Sequence, residues 1–253
     1  MVINFMRTQN FEILILFFIT IVGCDVNGQI YYQQDTTISS LRGEPRNGTT
    51  FYFPTTIKTE YKIISTELDS FKLKWYSTSV HPTNEPILFN FYLGHDIYRF
   101  IWLRAFSPPV TFTLHKDGEK VWLQTKLLDS IPRDEYIGHI QFTSPEKINE
   151  INSEPAKVDT TITHVVHLAK IKSDETKLLT IEEWNQFEFL LSQCNFWNMK
   201  TSIHEIGDDG SQWIIEGHQR NRYWLVDRWV PKGNYRKCGE YLIQLSALKE
   251  DIY

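Results

Sequence analysis

From Ile97 to Leu127 the chain is a run of short alternating segments separated by turn residues, a pattern that few structures other than an antiparallel sheet can satisfy. Ile97 to Phe106 (IYRFIWLRAF) sets Tyr98, Phe100 and Trp102 on one face and Ile97, Arg99, Ile101 and Leu103 on the other. Pro108-Pro109 ends the run, because proline cannot donate to a strand ladder. Val110–Leu114 and Val121–Leu127 then flank Lys116-Asp117-Gly118-Glu119, whose Asp-Gly step predicts a hairpin. Strands are also predicted over Tyr61–Ser65, Phe71–Tyr76 and Thr160–Ile171, from their β-branched and aromatic residues.

Two helices complete the pattern. Thr180 and Glu183 form a capping box ahead of the apolar stripe Trp184, Phe187, Leu190 and Leu191, with Cys194 one turn further on the same face. Tyr235, Cys238, Leu242, Leu245 and Leu248 recur at helical spacing, with Asn234 as the expected N-cap. The expected class is α+β: an antiparallel sheet with helices packed on one side, the last of them C-terminal. Thr143–Asp159 is poor in apolar residues and carries two prolines. It reads as a linker or surface excursion, so the body over 49–253 is one domain or two subdomains meeting near 143–159.

The N-terminus carries an export pattern. Arg7 precedes Ile13–Val22 (ILILFFITIV), an apolar run that falls short of the roughly 20 residues needed to span a bilayer but suits a signal peptide. Ile21-Val22-Gly23-Cys24 follows at once and resembles the lipobox of bacterial lipoproteins. That resemblance implies removal of residues 1–23 and lipidation of Cys24, with membrane attachment in the cell envelope through two or more acyl chains, since one chain binds only marginally. Residues 24–48, rich in polar and turn-forming side chains, are expected to be a flexible tether. Once Cys24 is lipidated, Cys194 and Cys238 remain, an even count that permits one disulfide in an oxidising compartment.

Five of the eight tryptophans lie between Trp184 and Trp229. A hairpin turning through His218–Asn221 and pairing Glu216 with Tyr223 separates two faces there. Trp213, Ile215, Trp224 and Val226 form an apolar face that ends in Arg228. Gln212, Ile214, Glu216, Tyr223, Leu225, Asp227 and Trp229 form the other. The mixed face, with Glu216, Tyr223, Asp227 and Trp229, is the candidate binding surface. Arg228 is expected to hold a structural ion pair, because arginine is almost never buried without a partner. Trp213-Ile214-Ile215-Glu216-Gly217, then Tyr223, Val226-Asp227-Arg228-Trp229 and Pro231, resembles a phrase found in exported bacterial proteins of no assigned activity. Tyr98–Arg104 and Leu123–Asp129 resemble its upstream half. That resemblance implies export and fold, and no mechanism.

The remaining chemistry is defined by what is missing. The formal charge of −5, without basic runs, gives no footprint for nucleic acid. His164 and His167 are three apart on a predicted strand and so face opposite ways, which defeats chelation. Asp208-Asp209-Gly210 lacks the other ligands of a calcium loop. No phosphate-binding loop, dinucleotide fingerprint or serine-nucleophile motif is present. No metal and no cofactor is expected. The sequence therefore points to a non-catalytic binding module using its aromatic-rich sheet surface. An envelope hydrolase built on Glu216 and Asp227 is the alternative.

Overall fold

The computed structural model describes residues 35–59, 62–142, 158–204, 209–220, 222–246, 248–250 and 252, with backbone alone over 134–142 and 158–166. In chain order the elements are β1 (Thr56–Lys58), β2 (Ile63–Ser65), α1 (Ser70–Val80), β3 (Asp96–Arg104), β4 (Val110–Asp117), β5 (Lys120–Leu128), β6 (Arg133–Phe142), β7 (Val158–His167), β8 (Ile171–Leu179), α2 (Ile181–Gln193), β9 (Ser211–Gln219), β10 (Arg222–Trp229) and α3 (Gly233–Ser246). Six strands form one antiparallel sheet in the order β10-β9-β3-β4-β5-β8. The protein is α+β with a C-terminal helix, as the periodicities predict. Among the described residues no helix is long and apolar enough to cross a membrane.

The centre of the sheet is covered on both faces, so β3 is buried at every position after Asp96. On one face lie α2 and α3. Tyr98 stacks near Trp184 and Phe187 of α2, and Phe100 packs against Phe112 and Trp213. The Thr180–Glu183 capping box starts α2 as predicted. α3 begins at Gly233, one residue before the expected cap, and Asn234 instead donates to the Gln193 carbonyl at the end of α2. Gly239 lets α3 approach the sheet, since a Cβ there would come within 2.4 Å of the Trp213 indole. That contact outweighs the roughly 1 kcal/mol by which glycine disfavours a helix interior.

The opposite face is covered by the segment before β3, and here the structure departs from the sequence reading. Phe71–Tyr76 is helical, not a strand. Its F-x-L-x-W alternation mimics a strand, but the Asp69 side chain caps the Lys72 N–H, and Leu73, Tyr76, Ser77 and Val80 make the helical stripe that is buried. Residues 35–48, expected within the tether, dock on the body. The Ile87 N–H donates to the Gly43 carbonyl, the Asn90 amide holds Asp35 and Ser39, and Ser39 and Pro45 form a bridge. The first part of the tether, Cys24 and the signal segment lie outside the described residues.

β6 and β7 pair along their whole length, from Arg133↔His167 to Phe142↔Val158, as a separate ribbon. The loop between them, 143–157, lies outside the described residues. The Asp117-Gly118 hairpin forms as predicted, with Gly118 at φ +57. β8 went unrecognised because Ile171–Leu179 (IKSDETKLL) is mostly exposed and charged. Such composition suits an edge strand, where charge discourages pairing with other chains.

Candidate functional site

The alternation in β9 and β10 assigns residues to faces correctly, but the pairing is shifted by two. Glu216 opposes Leu225, and β9 runs on to Gln219, so His218 and Gln219 of the expected loop are strand. A shift of two preserves each side chain's face. What alternation cannot show is that the mixed face is covered. Glu216 and Asp227 are 0% exposed and Tyr223 is 2% exposed. These three residues of the candidate binding surface are inside the protein, beneath α1 and the loop leading into β3.

They belong to a buried charge ladder that crosses the sheet. In register, Thr113 of β4 opposes Arg99 of β3, and Arg99 opposes Glu216 of β9. Arg99 Nε donates to Glu216 Oε2 at 2.8 Å, and its Nη1 donates to the Pro86 carbonyl at 2.6 Å. Tyr223 donates its hydroxyl to Glu216 Oε1 at 2.7 Å. Glu85, brought in by the covering loop, receives Thr113 Oγ1 at 2.7 Å and lies 2.7 Å from Lys126 Nζ of β5. Two cations and two carboxylates balance within the ladder. Burial alone would depress the Arg99 guanidinium, but Glu216 and Glu85 more than offset it and hold it charged. Burial pushes Glu216 upward, opposed by Arg99 and by the Tyr223 hydroxyl. Tyr52, which stands over Arg99, is pushed up to about 12 by burial.

Asp227 forms a second, separate cluster. Its Oδ2 accepts from Lys72 at 2.7 Å, Tyr76 at 2.6 Å and Gln212 at 3.3 Å. On an open binding surface, neutralising Asp227 would cost little. Instead, Asp227→Asn leaves Lys72 without its counterion and three donors around one amide. It is expected to lower unfolding free energy by about 1–3 kcal/mol. Equal denaturant midpoints for variant and wild type would show that the cluster contributes nothing.

Arg228 does lie on the helix side, but it is partly exposed and makes no ion pair among the described residues. Its guanidinium donates to the carbonyls of Asp227 (2.6 Å), Lys200 (2.7 Å) and Thr201 (3.3 Å). The expected ion pair is therefore replaced by carbonyl capping of the segment that runs along β10. Cys194 and Cys238 are brought together, with sulfurs 4.0 Å apart, but both are free thiols. The spacing is about twice the covalent S–S length of ~2.05 Å, so the expected disulfide is not formed here.

Two cavities are lined by described residues. One, of about 680 Å³, is lined by residues that include Arg42, Asn47, Tyr52, His81, Asn84 and Glu85. Two of its ionisable groups, Glu85 and His81, are engaged. Glu85 faces Lys126 and Thr113, and His81 Nε2 donates to the Thr50 carbonyl at 3.0 Å. Burial draws the His81 ring below the usual histidine range. The other, of about 650 Å³, lies where β10 turns towards α3, between Met199, Ile203, Arg228, Trp229, Lys232 and Tyr235. Of the candidate surface, Trp229 lines this cavity, and Glu216, Tyr223 and Asp227 line neither of the two. Val230 beside Trp229 has φ +41, an unfavourable conformation for a β-branched residue. Gly210 accommodates this turn, since a Cβ there would come within 2.4 Å of Val230 Cγ2.

Neither Glu216 nor Asp227 lines either of these cavities, and each is buried against its own partners. Among the described residues no cluster of three or more His, Cys, Asp or Glu is placed to hold a metal. No protein-family model matches the chain, and no curated protein and no solved structure matches it either.

Proposed function

We propose that this protein is a non-catalytic binding module, exported and held at the envelope membrane through Cys24, that takes its partner in the groove at the end of β10. One observation carries the reading. The groove combines apolar walls (Met199, Ile203, Trp229, Tyr235) with two cations (Arg228, Lys232), and among the described residues no carboxylate or histidine lines it. Such a site can bury an apolar side chain and attract a neighbouring acidic group, and its described residues offer no acid–base pair for turnover. The backbone strain at Val230 supports it, because such conformations persist where the surroundings over-determine them and concentrate at ligand clamps. The expected occupant is an acidic segment with an aromatic or aliphatic residue beside the charge. The resemblance of the Trp213–Pro231 phrase to exported bacterial proteins and of Ile21–Cys24 to a lipobox supports the location.

Panning a random peptide display library against the purified protein is expected to enrich peptides that join Asp or Glu to an apolar residue. Lys232→Glu should weaken the recovered peptides about tenfold, equivalent to about 1.4 kcal/mol. Peptides without acidic residues, or affinities unchanged by both Lys232→Glu and Trp229→Ala, would refute the groove as the site. Attachment is tested separately by feeding cells an alkyne fatty acid, which should label wild type and not Cys24→Ser.

A further inference from the structure

We infer that Cys194 and Cys238 form a redox-active dithiol, in which Cys194 exchanges with a disulfide from outside and Cys238 closes the internal bond. Their placement is asymmetric in the way that chemistry needs. Cys194 is the C-terminal cap of α2 and is partly exposed, its thiol donating to the Leu191 carbonyl at 3.2 Å. Cys238 is fully buried in α3, its thiol turned to the Asn234 carbonyl at 3.4 Å and its sulfur 4.0 Å from that of Cys194. A reagent from solvent therefore meets Cys194 first, and Cys238 is reached only through it.

The electrostatics run the same way. The contact with Cys238 draws the Cys194 thiol below its ordinary value against the cost of burial. Its own N–H, that of Phe196 and the Arg228 guanidinium help, whereas the contact with Cys194 and burial push Cys238 up. A thiolate is the attacking form, so the outer cysteine is the better nucleophile and the inner one the resolving group.

The oxidant required is a low-molecular-weight disulfide, for which glutathione disulfide serves as probe. Cys194 loses its proton, and its thiolate attacks one sulfur of the probe. A protein–glutathione bond forms, the probe's S–S bond breaks, and one glutathione leaves as thiolate and is protonated. Cys238, losing its proton in turn, attacks the Cys194 sulfur, forms the Cys194–Cys238 bond and releases the second glutathione. The protein dithiol gives up two electrons, and one glutathione disulfide becomes two glutathione thiols. Excess glutathione thiol reverses both steps.

The test uses the full chain carrying Cys24→Ser, so that two thiols are counted, mixed while folded with glutathione disulfide and quenched with acid over time. Peptide mass analysis should find glutathione first on Cys194, then lost as the internal disulfide appears. Glutathione thiol should restore both cysteines without unfolding. Cys238→Ser should stall at the Cys194 mixed disulfide, a result that the wild-type time course checks independently should that variant fold poorly. Modification of Cys238 first, no exchange until denaturant is added, or an internal disulfide that folded protein will not surrender to glutathione thiol would each overturn the assignment.

Discussion

Arg99→Met is expected to lower the free energy of unfolding by about 3–5 kcal/mol, the usual cost of removing one partner from a buried ion pair. Arg99 is 0% exposed, and so is Glu216, which it contacts through two nitrogens. Methionine fills much of the volume but leaves Glu216 with Tyr223 as its remaining donor and removes a cation near Glu85. A loss of this size is a large part of a domain's typical stability of about 5–15 kcal/mol. The reciprocal test is Arg99→Met with Glu216→Leu. Because replacing a whole buried pair with apolar groups is often close to neutral, the double variant should be more stable than the sum of its single losses predicts. Chemical denaturation of the four proteins measures this. A single-variant loss below about 1 kcal/mol, or strict additivity, would show that the ladder is not energetically coupled.

Acid should unfold the protein earlier than its carboxylates alone would bring about. His115 and His218 are buried, and burial draws their rings down from 6.5 to about 3 and about 4 respectively. His218 Nδ1 lies 2.5 Å from the Leu88 carbonyl. His115 stacks flat on Trp122 and shares a hydrogen bond with His95, and its Nε2 is buried with no partner to accept a second proton. Both rings therefore stay neutral in the fold but take up protons when the chain unfolds. The sign follows from linkage. Where the unfolded chain binds more protons, stability rises with pH, so the contribution is complete above about pH 6.5 and is lost progressively towards pH 4. Two such protons give a slope approaching ~2.7 kcal/mol per pH unit, and between pH 6 and 5 ordinary carboxylates contribute little to it. His115→Gln should roughly halve the slope. Stability that is level from pH 7 to 5 would mean that the rings are not buried as neutral groups.

Local features were legible in the sequence because each rests on chemistry within a few residues. The Thr180–Glu183 box, the Asp117-Gly118 turn, the two-residue period of β3 and the helical period of α3 all appear as read. The faces of β9 and β10 also survive, because an error of two in register returns every side chain to the same side. Phe71–Tyr76 failed at this level, since its alternation is compatible with either period and only the burial of Leu73, Tyr76 and Val80 selects the helix.

Burial was decided elsewhere in the chain. Alternation shows that Glu216, Tyr223 and Asp227 share a face, but whether that face is wet depends on α1 and the loop carrying Glu85, more than 100 positions earlier. The same distance separates Glu216 from Arg99, so neither partner marks the other in the local pattern. The thiols were expected together and are together, yet which one is exposed, and so which one reacts, is set by the packing of α2 on α3. Helix caps and turns are set within a few residues and can be read from neighbours. The sign of a charge's contribution depends on its solvent, and for this protein that solvent is supplied by the far end of the chain.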